Sequence, residues 1–239
     1  MGLLDGKVAI VTGASSGIGA GIAEIFAKEG ASVALAARRT ERLEQNAKRF
    51  GSKSLPVRTD VTQEADVIAL FDATEKAFGV PHIVVNCAGF ADHTPTDELS
   101  FEEWNTIVAT NLSSVFLCAR EALRRMKPLR RGRIITIGSI SAEMPRPNAI
   151  GYAATKGAIH SMNHSLALDG RDFGITASVL HPGATVSELS KNMEQRPRNV
   201  TMATEDVARA ALLMAALPNE TNVFELTMLP VNQPYLGRS

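Results

Sequence analysis

The feature that most constrains this chain is a short apolar run, Val8-Ala9-Ile10-Val11, which passes directly into Thr12-Gly13-Ala14-Ser15-Ser16-Gly17-Ile18-Gly19. Consecutive apolar residues rich in β-branched types suit a strand buried on both faces. The glycines permit a tight turn, after which Ile18, Ile22, Ile25 and Phe26 recur at helical spacing as far as Gly30. Ser32-Val33-Ala34-Leu35-Ala36 reads as a second buried strand. Strand, glycine turn, helix and strand make a βαβ unit, whose crossover is expected to be right-handed.

The alternation then continues to the end of the chain. Helices are expected over 40–50, about 64–78, about 101–126, through residue 152 to about 173, and over 205–216. Strands are expected at 55–57, 82–86, 133–137, 176–180 and 223–226. This pattern predicts an α/β, doubly wound Rossmann-type fold: a mostly or wholly parallel seven-stranded sheet with helices on both faces. No linker, repeat or low-complexity stretch interrupts it, so one domain is expected over 1–239. Residues 183–201, which include Pro197, form a long loop between strand and helix, and loops of that length are commonly lids.

Charge and composition exclude several functions. The 25 basic and 25 acidic side chains cancel, whereas a nucleic-acid binder needs a basic surplus to replace counterions. No apolar run approaches the ~20 residues of a membrane span. The N-terminus has no cationic segment followed by an apolar one, so a cytoplasmic location is expected. Cys87 and Cys118 make no disulfide framework, and the five histidines show no metal-ligand spacing, so no metal is expected.

The glycine turn carries the first piece of chemistry. Gly13 suits the tight turn, while Gly17 and Gly19 let backbone and helix start approach a pyrophosphate, which the helix N-terminus attracts. Binding NAD(H) usually places an acid at the end of the second strand, to hold a ribose hydroxyl. Here that place reads Ala36-Ala37-Arg38-Arg39. A planar guanidinium fork fits a 2′-phosphate, so NADP(H) is favoured over NAD(H).

Tyr152 and Lys156 carry the second piece, lying one helical turn apart on one face. A nearby ammonium favours the phenolate, and a tyrosine so tuned can trade protons with an alcohol or a carbonyl. Trp104, Ile107, Val108, Val115 and Ala119 trace an apolar helix face, and Asn111 falls inside it. A buried amide there acts either as a structural clamp or as part of a hydrogen-bond network.

Residues 12–19, Asn86-Cys87-Ala88-Gly89, Asn111, Ser139, Tyr152-Ala153-Ala154-Thr155-Lys156 and Pro182-Gly183 occur in the order and spacing of one family. Over essentially the whole chain the sequence resembles the short-chain dehydrogenases/reductases. The resemblance implies a catalytic set of Asn111, Ser139, Tyr152 and Lys156. Ser139 lies thirteen residues before Tyr152, as the family's serine does, which favours it over Ser141. The family's Asn holds a water connected to the lysine.

The resemblance also implies a cofactor set. It comprises Gly13, Ser15, Ser16, Gly17, Ile18, Gly19, Arg38, Arg39, Asp60, Val61, Asn86, Ala88, Gly89, Tyr152, Lys156, Pro182, Gly183 and Ser187. Asp60 and Val61 would meet the adenine, and Pro182, Gly183 and Ser187 the nicotinamide. Cys87 departs from the Asn most often found there, and Ser187 replaces a Thr while keeping the hydroxyl. The implied activity is NADP(H)-dependent interconversion of a carbonyl and a secondary alcohol, by a homotetramer or homodimer. Two alternatives share the fold: a catalytically silent cofactor-binding regulator, and an isomerase or dehydratase. The substrate pocket is expected between residues 90–96, 140–150 and the 183–201 lid, with Met144, Pro145, Leu189 and Met193 as apolar lining.

Overall fold

The sheet is built from runs whose side chains alternate between two covered faces. The computed structural model describes residues 2–187, 197 and 199–233 of the chain. Its strands are β1 (Val8–Thr12), β2 (Ser32–Ala37), β3 (Ser54–Arg58), β4 (Ile83–Asn86), β5 (Gly132–Ile137), β6 (Ile175–Pro182) and β7 (Glu225–Met228). They form one seven-stranded sheet in the order β3-β2-β1-β4-β5-β6-β7. Every pairing is parallel, as the alternation of strands and helices predicts. The order reverses between β1 and β4, which opens a crevice at their carboxyl ends.

The helices are α1 (Gly17–Lys28), α2 (Thr40–Phe50), α3 (Glu64–Phe78), α4 (Phe101–Val108), α5 (Ser114–Met126), α6 (Ile150–Arg171) and α7 (Thr204–Ala216). Ala9, Val11, Val33, Leu35, Val85 and Ile135 point to one face, against Ile22 and Phe26 of α1, Leu43 of α2 and Val207 and Ala211 of α7. Their neighbours Ile10, Ala34, Val84 and Ile134 point to the other, against Val67, Leu70 and Phe71 of α3 and Cys118, Ala122 and Met126 of α5. Complete burial of each large side chain stabilises the fold by about 1.5–3 kcal/mol. Two covered faces explain why these strands read as continuous apolar runs.

Three elements differ from the sequence expectation. The single helix expected over 101–126 is two helices joined by a π-helical turn, Ala109–Ser113, with Asn111 at its centre and fully buried. Such a turn holds one residue more than an α-helical one, so the apolar face persists across it while the backbone widens. β6 runs on through His181 and Pro182, which pair with Thr227 and Met228. β7 starts two residues later than expected, because its edge position exposes alternate residues and weakens the apolar signal.

Candidate active site

At the end of β1, the Thr12 hydroxyl accepts from the amides of Cys87 (3.0 Å) and Ala88 (3.2 Å) and donates to Val85 O (3.3 Å). This clip holds the residues after β4 against the glycine turn. Gly13 has φ +70°, and a Cβ there would lie 3.0 Å from Ala88 backbone. A Cβ on Gly19 would lie 2.4 Å from Gly13 O. Only glycine fits either place. Ser16 precedes α1 in extended conformation but its side chain does not cap the helix. The first-turn amides therefore face the crevice free of a side-chain cap, as an anion requires.

Arg39 reaches back to this turn. Its guanidinium donates to Ser15 Oγ (2.9 Å) and to Ser16 Oγ (2.6 Å), with Arg38 beside it on the rim of the same cleft. Asp60 closes that end. Burial pushes its carboxyl up, but hydrogen bonds from the hydroxyl and amide of Thr62, together with Arg38 and Arg58, outweigh this and hold it below the ordinary value. Asp60 Oδ1 accepts from Thr62 Oγ1 at 2.7 Å and from Thr62 N at 3.0 Å.

The other end of the cleft is set by β5, α6 and the π-helical turn. Ser139 follows β5 in extended backbone, and its Oγ accepts from Ser141 N at 3.1 Å. Ser139 and Tyr152 line this end of the cleft together, and the Ser139 hydroxyl acts to lower the Tyr152 phenol. Burial raises the Tyr152 phenol above its ordinary value, opposed by the Ser139 hydroxyl and the positive charge of Arg146. Lys156 is buried and donates to Ile137 O at 2.7 Å, with Nζ 5.6 Å from the Tyr152 ring centroid. Burial lowers its pKa to about 8. The expected lowering of the phenol is not seen here: the dominant influence on Tyr152 is its own desolvation, and the cation that opposes it is Arg146.

Asn111 acts as a clamp on the loop after β4. Its Oδ1 accepts from Phe90 N (2.9 Å), and its Nδ2 donates to Phe90 O (2.9 Å) and weakly to Thr155 Oγ1 (3.5 Å). It also backs Gly89, where an added Cβ would sit 3.0 Å from Asn111 Oδ1 and 4.0 Å from Lys156 Nζ.

Most of these pieces line one cleft of about 510 Å³. Of the site residues expected from sequence, Gly13, Ser15, Ser16, Gly17, Ile18, Gly19, Arg38, Arg39, Asp60, Val61, Ala88, Gly89, Ser139, Tyr152, Lys156, Pro182, Gly183 and Ser187 line it. Asn86 and Asn111 stand behind the wall. Asn86 is buried, with Nδ2 donating to Thr136 Oγ1 at 3.3 Å. Cys87 lines the cleft as a neutral thiol, pushed up to about 12 by burial.

The substrate end differs from expectation. Of the flanking segments, Phe90, Ala91, Asp92, His93, Ile140, Ser141, Arg146 and Ala149 line the cleft, while Met144 and Pro145 do not. Leu189 and Met193 lie outside the described residues, as do 188–196 and 198 of the expected lid. The base of that segment is tied down: Val186 N donates to Met202 O (2.9 Å) and Met202 N to Ala184 O (2.8 Å). Gln233 was invisible in the sequence. Its Oε1 accepts from Ala184 N at 2.7 Å and occupies the place a Cβ on Gly183 would need. No local pattern marks a glutamine as the seat of a loop fifty residues away.

A doubly wound parallel sheet with this turn and this hydroxyl pair at its switch point defines a Rossmann-type, nucleotide-binding oxidoreductase. The family model described as short chain dehydrogenase matches residues 7–198, and the chain belongs to that family. It is 37% identical over 207 residues, 84% of this chain and 82% of the other, to an NADP-dependent (R)-specific alcohol dehydrogenase of Lentilactobacillus kefiri. An alcohol dehydrogenase from the archaeon Thermococcus sibiricus, complexed with 5-hydroxy-NADP, superposes with a TM-score of 0.88 at 28% identity, covering 95% of this chain and 97% of that one. A 3-ketoacyl-(acyl-carrier-protein) reductase from Brucella melitensis, complexed with NADH, gives 0.87 at 31% identity, covering 94% and 97%.

Proposed function

We propose that this protein is an NADP(H)-dependent oxidoreductase that interconverts a carbonyl compound and a secondary alcohol. The observation that carries this reading is the convergence, in one cleft, of the Ser139–Tyr152 hydroxyl pair with buried Lys156 and the Arg39–Ser15–Ser16 cluster. The residues present fit a dinucleotide: a glycine cradle with no room for a Cβ, an uncapped helix start and a paired arginine rim. When bound, the reduced nicotinamide supplies the hydride. The remaining tasks belong to the chain.

Gly13, Gly17, Ile18 and Gly19 bring backbone amides to the pyrophosphate. Arg38 and Arg39, with the hydroxyls of Ser15 and Ser16, hold the 2′-phosphate. Asp60 and Val61 bound the adenine, and Ala88 and Gly89 the adenosine side, with Asn86 positioning them from behind. Lys156 donates to the nicotinamide ribose, and Pro182, Gly183 and Ser187 face the nicotinamide. The Ser139 hydroxyl donates to the substrate oxygen as negative charge grows there, and Tyr152 gives that oxygen its proton. In the oxidative direction Tyr152 takes the proton back. Asn111 fixes the Phe90 backbone beside the lysine and serves the water path from Lys156 outward. The chain works as one domain with 183–201 as its lid, in a homotetramer or homodimer.

The relatives support the cofactor class: one is named NADP-dependent, one holds 5-hydroxy-NADP and one holds NADH. The arginine rim favours the phosphorylated form. The test is consumption of NADPH and of NADH with a panel of ketones and aldehydes. NADPH is expected to give a kcat/KM higher by about tenfold or more, the worth of one charge-assisted contact. Equal use of both cofactors would refute the assignment of NADP(H), and no turnover with any carbonyl would refute the activity.

A further inference from the structure

Behind the cleft, three metal-ligating side chains converge from three elements. His160 lies on α6 one turn beyond Lys156, His181 on β6 next to Pro182, and Glu225 at the start of β7. His160 Nδ1 is hydrogen-bonded to Glu225 Oε1, and His181 Nε2 lies 3.3 Å from the same oxygen. The three ligand atoms all fall within 4.8 Å of one another. None of the three lines the cleft. We propose that His160, His181 and Glu225 form a binding site for one divalent transition-metal cation, Zn²⁺ by the chemistry of its donors.

The donor set and its spacing both fit. Two imidazoles and one carboxylate are a recurrent Zn²⁺ set, leaving one tetrahedral position for water. Bonds of about 2.0–2.1 Å place tetrahedral ligand atoms about 3.3–3.4 Å apart. The His181–Glu225 pair already stands at 3.3 Å. His160 and Glu225, being hydrogen-bonded, must separate to admit an ion. Their side chains are 44% and 33% exposed, so a rotamer change suffices.

The buried member is oriented for the task. His181 Nδ1 lies 3.1 Å from Ser139 O, and the side chain is only 8% exposed. With its proton on Nδ1, the imidazole donates to that carbonyl and turns the Nε2 lone pair toward Glu225. Metal-bound histidines characteristically hold their second N–H on a carbonyl in this way. A lone pair facing a carboxylate is repulsive unless a cation lies between them. In the opposite tautomer Nδ1 accepts from Ser139 N at 3.3 Å and the proton sits on Nε2, where the ion displaces it. The bound ion would tie α6, β6 and β7 together and brace the turn that carries Ser139.

The test uses tag-free protein stripped with a chelator and titrated calorimetrically with Zn²⁺, then with Co²⁺ as a visible reporter. One ion per chain is expected, with intense d–d absorption from four-coordinate Co²⁺ and a Zn²⁺-dependent rise in melting temperature. His160→Ala and Glu225→Gln should each weaken Zn²⁺ binding by about tenfold or more. Both should keep the metal-free melting temperature, showing that they remain folded. Absence of stoichiometric binding, or binding unchanged in both variants, overturns the site. The readout is independent of turnover, so an inactive enzyme would leave it intact.

Discussion

At the scale of single residues, burial acts on the two titrating groups in opposite senses. It raises the Tyr152 phenol and lowers Lys156 to about 8. A raised phenol stays protonated at neutral pH, which suits a proton donor in carbonyl reduction. Reduction is therefore expected to be flat at neutral pH and to fall above about pH 8 as Lys156 loses its charge, while the raised Tyr152 phenol remains protonated there. Alcohol oxidation needs the phenolate and should rise with pH; pH–rate profiles in both directions check the pair. Tyr152→Phe should lower kcat by about 10²–10⁴-fold. NADPH binding by fluorescence titration should be retained. A Tyr152→Phe variant with near-full activity would sink the mechanism.

Lys156 also bears on stability. Its folded pKa of about 8 lies below the ordinary 10.5, so the unfolded chain binds more protons between those values. Its destabilising effect is complete below pH 8 and disappears above 10.5. Lys156→Met should thus melt no lower than the parent at pH 7 while losing activity, as thermal denaturation beside an NADPH assay would show. The neighbouring Asn111 is different, since its side chain supports rather than reacts. Asn111→Leu leaves both polar groups of Phe90 unpaired and should cost about 1–3 kcal/mol in denaturant unfolding.

At the scale of elements, the glycine turn and the π-helical turn do the positioning. Gly19→Ala would drive a Cβ to 2.4 Å from Gly13 O, with a further clash against Thr12 O. The expected result is a loss on the order of 1–3 kcal/mol in stability and a larger loss of NADPH affinity, measured by calorimetry. That turn was legible, because spacing within eight residues reports it directly. The π-helical turn was not. Apolar periodicity reveals which face of 101–126 is buried but is blind to one extra residue in a turn. Asn111 could be placed on the buried face, yet its partner, the backbone of Phe90, lies twenty-one residues away. The late start of β7 escaped for a related reason, since an edge strand with exposed Glu225 and Thr227 carries only half an apolar pattern.

At the scale of the whole molecule, the cleft spans the reversal of strand order. It draws Gly13 from just beyond β1, Asp60 from beyond β3, Ser139 from beyond β5 and Pro182 from β6. A ligand filling it stabilises the assembled sheet by mass action, about 2.7 kcal/mol at a hundred times its dissociation constant. NADPH should therefore raise the melting temperature more than NADH at equal concentration. An equal rise from both would contradict a 2′-phosphate site at Arg38 and Arg39.

The sequence by itself determined the order of elements, the parallel sheet, the glycine cradle and the Tyr152–Lys156 face. Each depends on residues within one or two turns of each other, or on an apolar run that only a covered strand tolerates. The tertiary structure alone decided that Arg39 reaches Ser15 and Ser16 and that Gln233 seats Ala184. It alone decided that Glu225 stands between His160 and His181, a meeting of residues up to 65 positions apart. Those contacts follow from strand register and helix placement. A change of one residue in the β6–β7 register would turn Glu225 to the other face of the sheet, and no local pattern records that alignment.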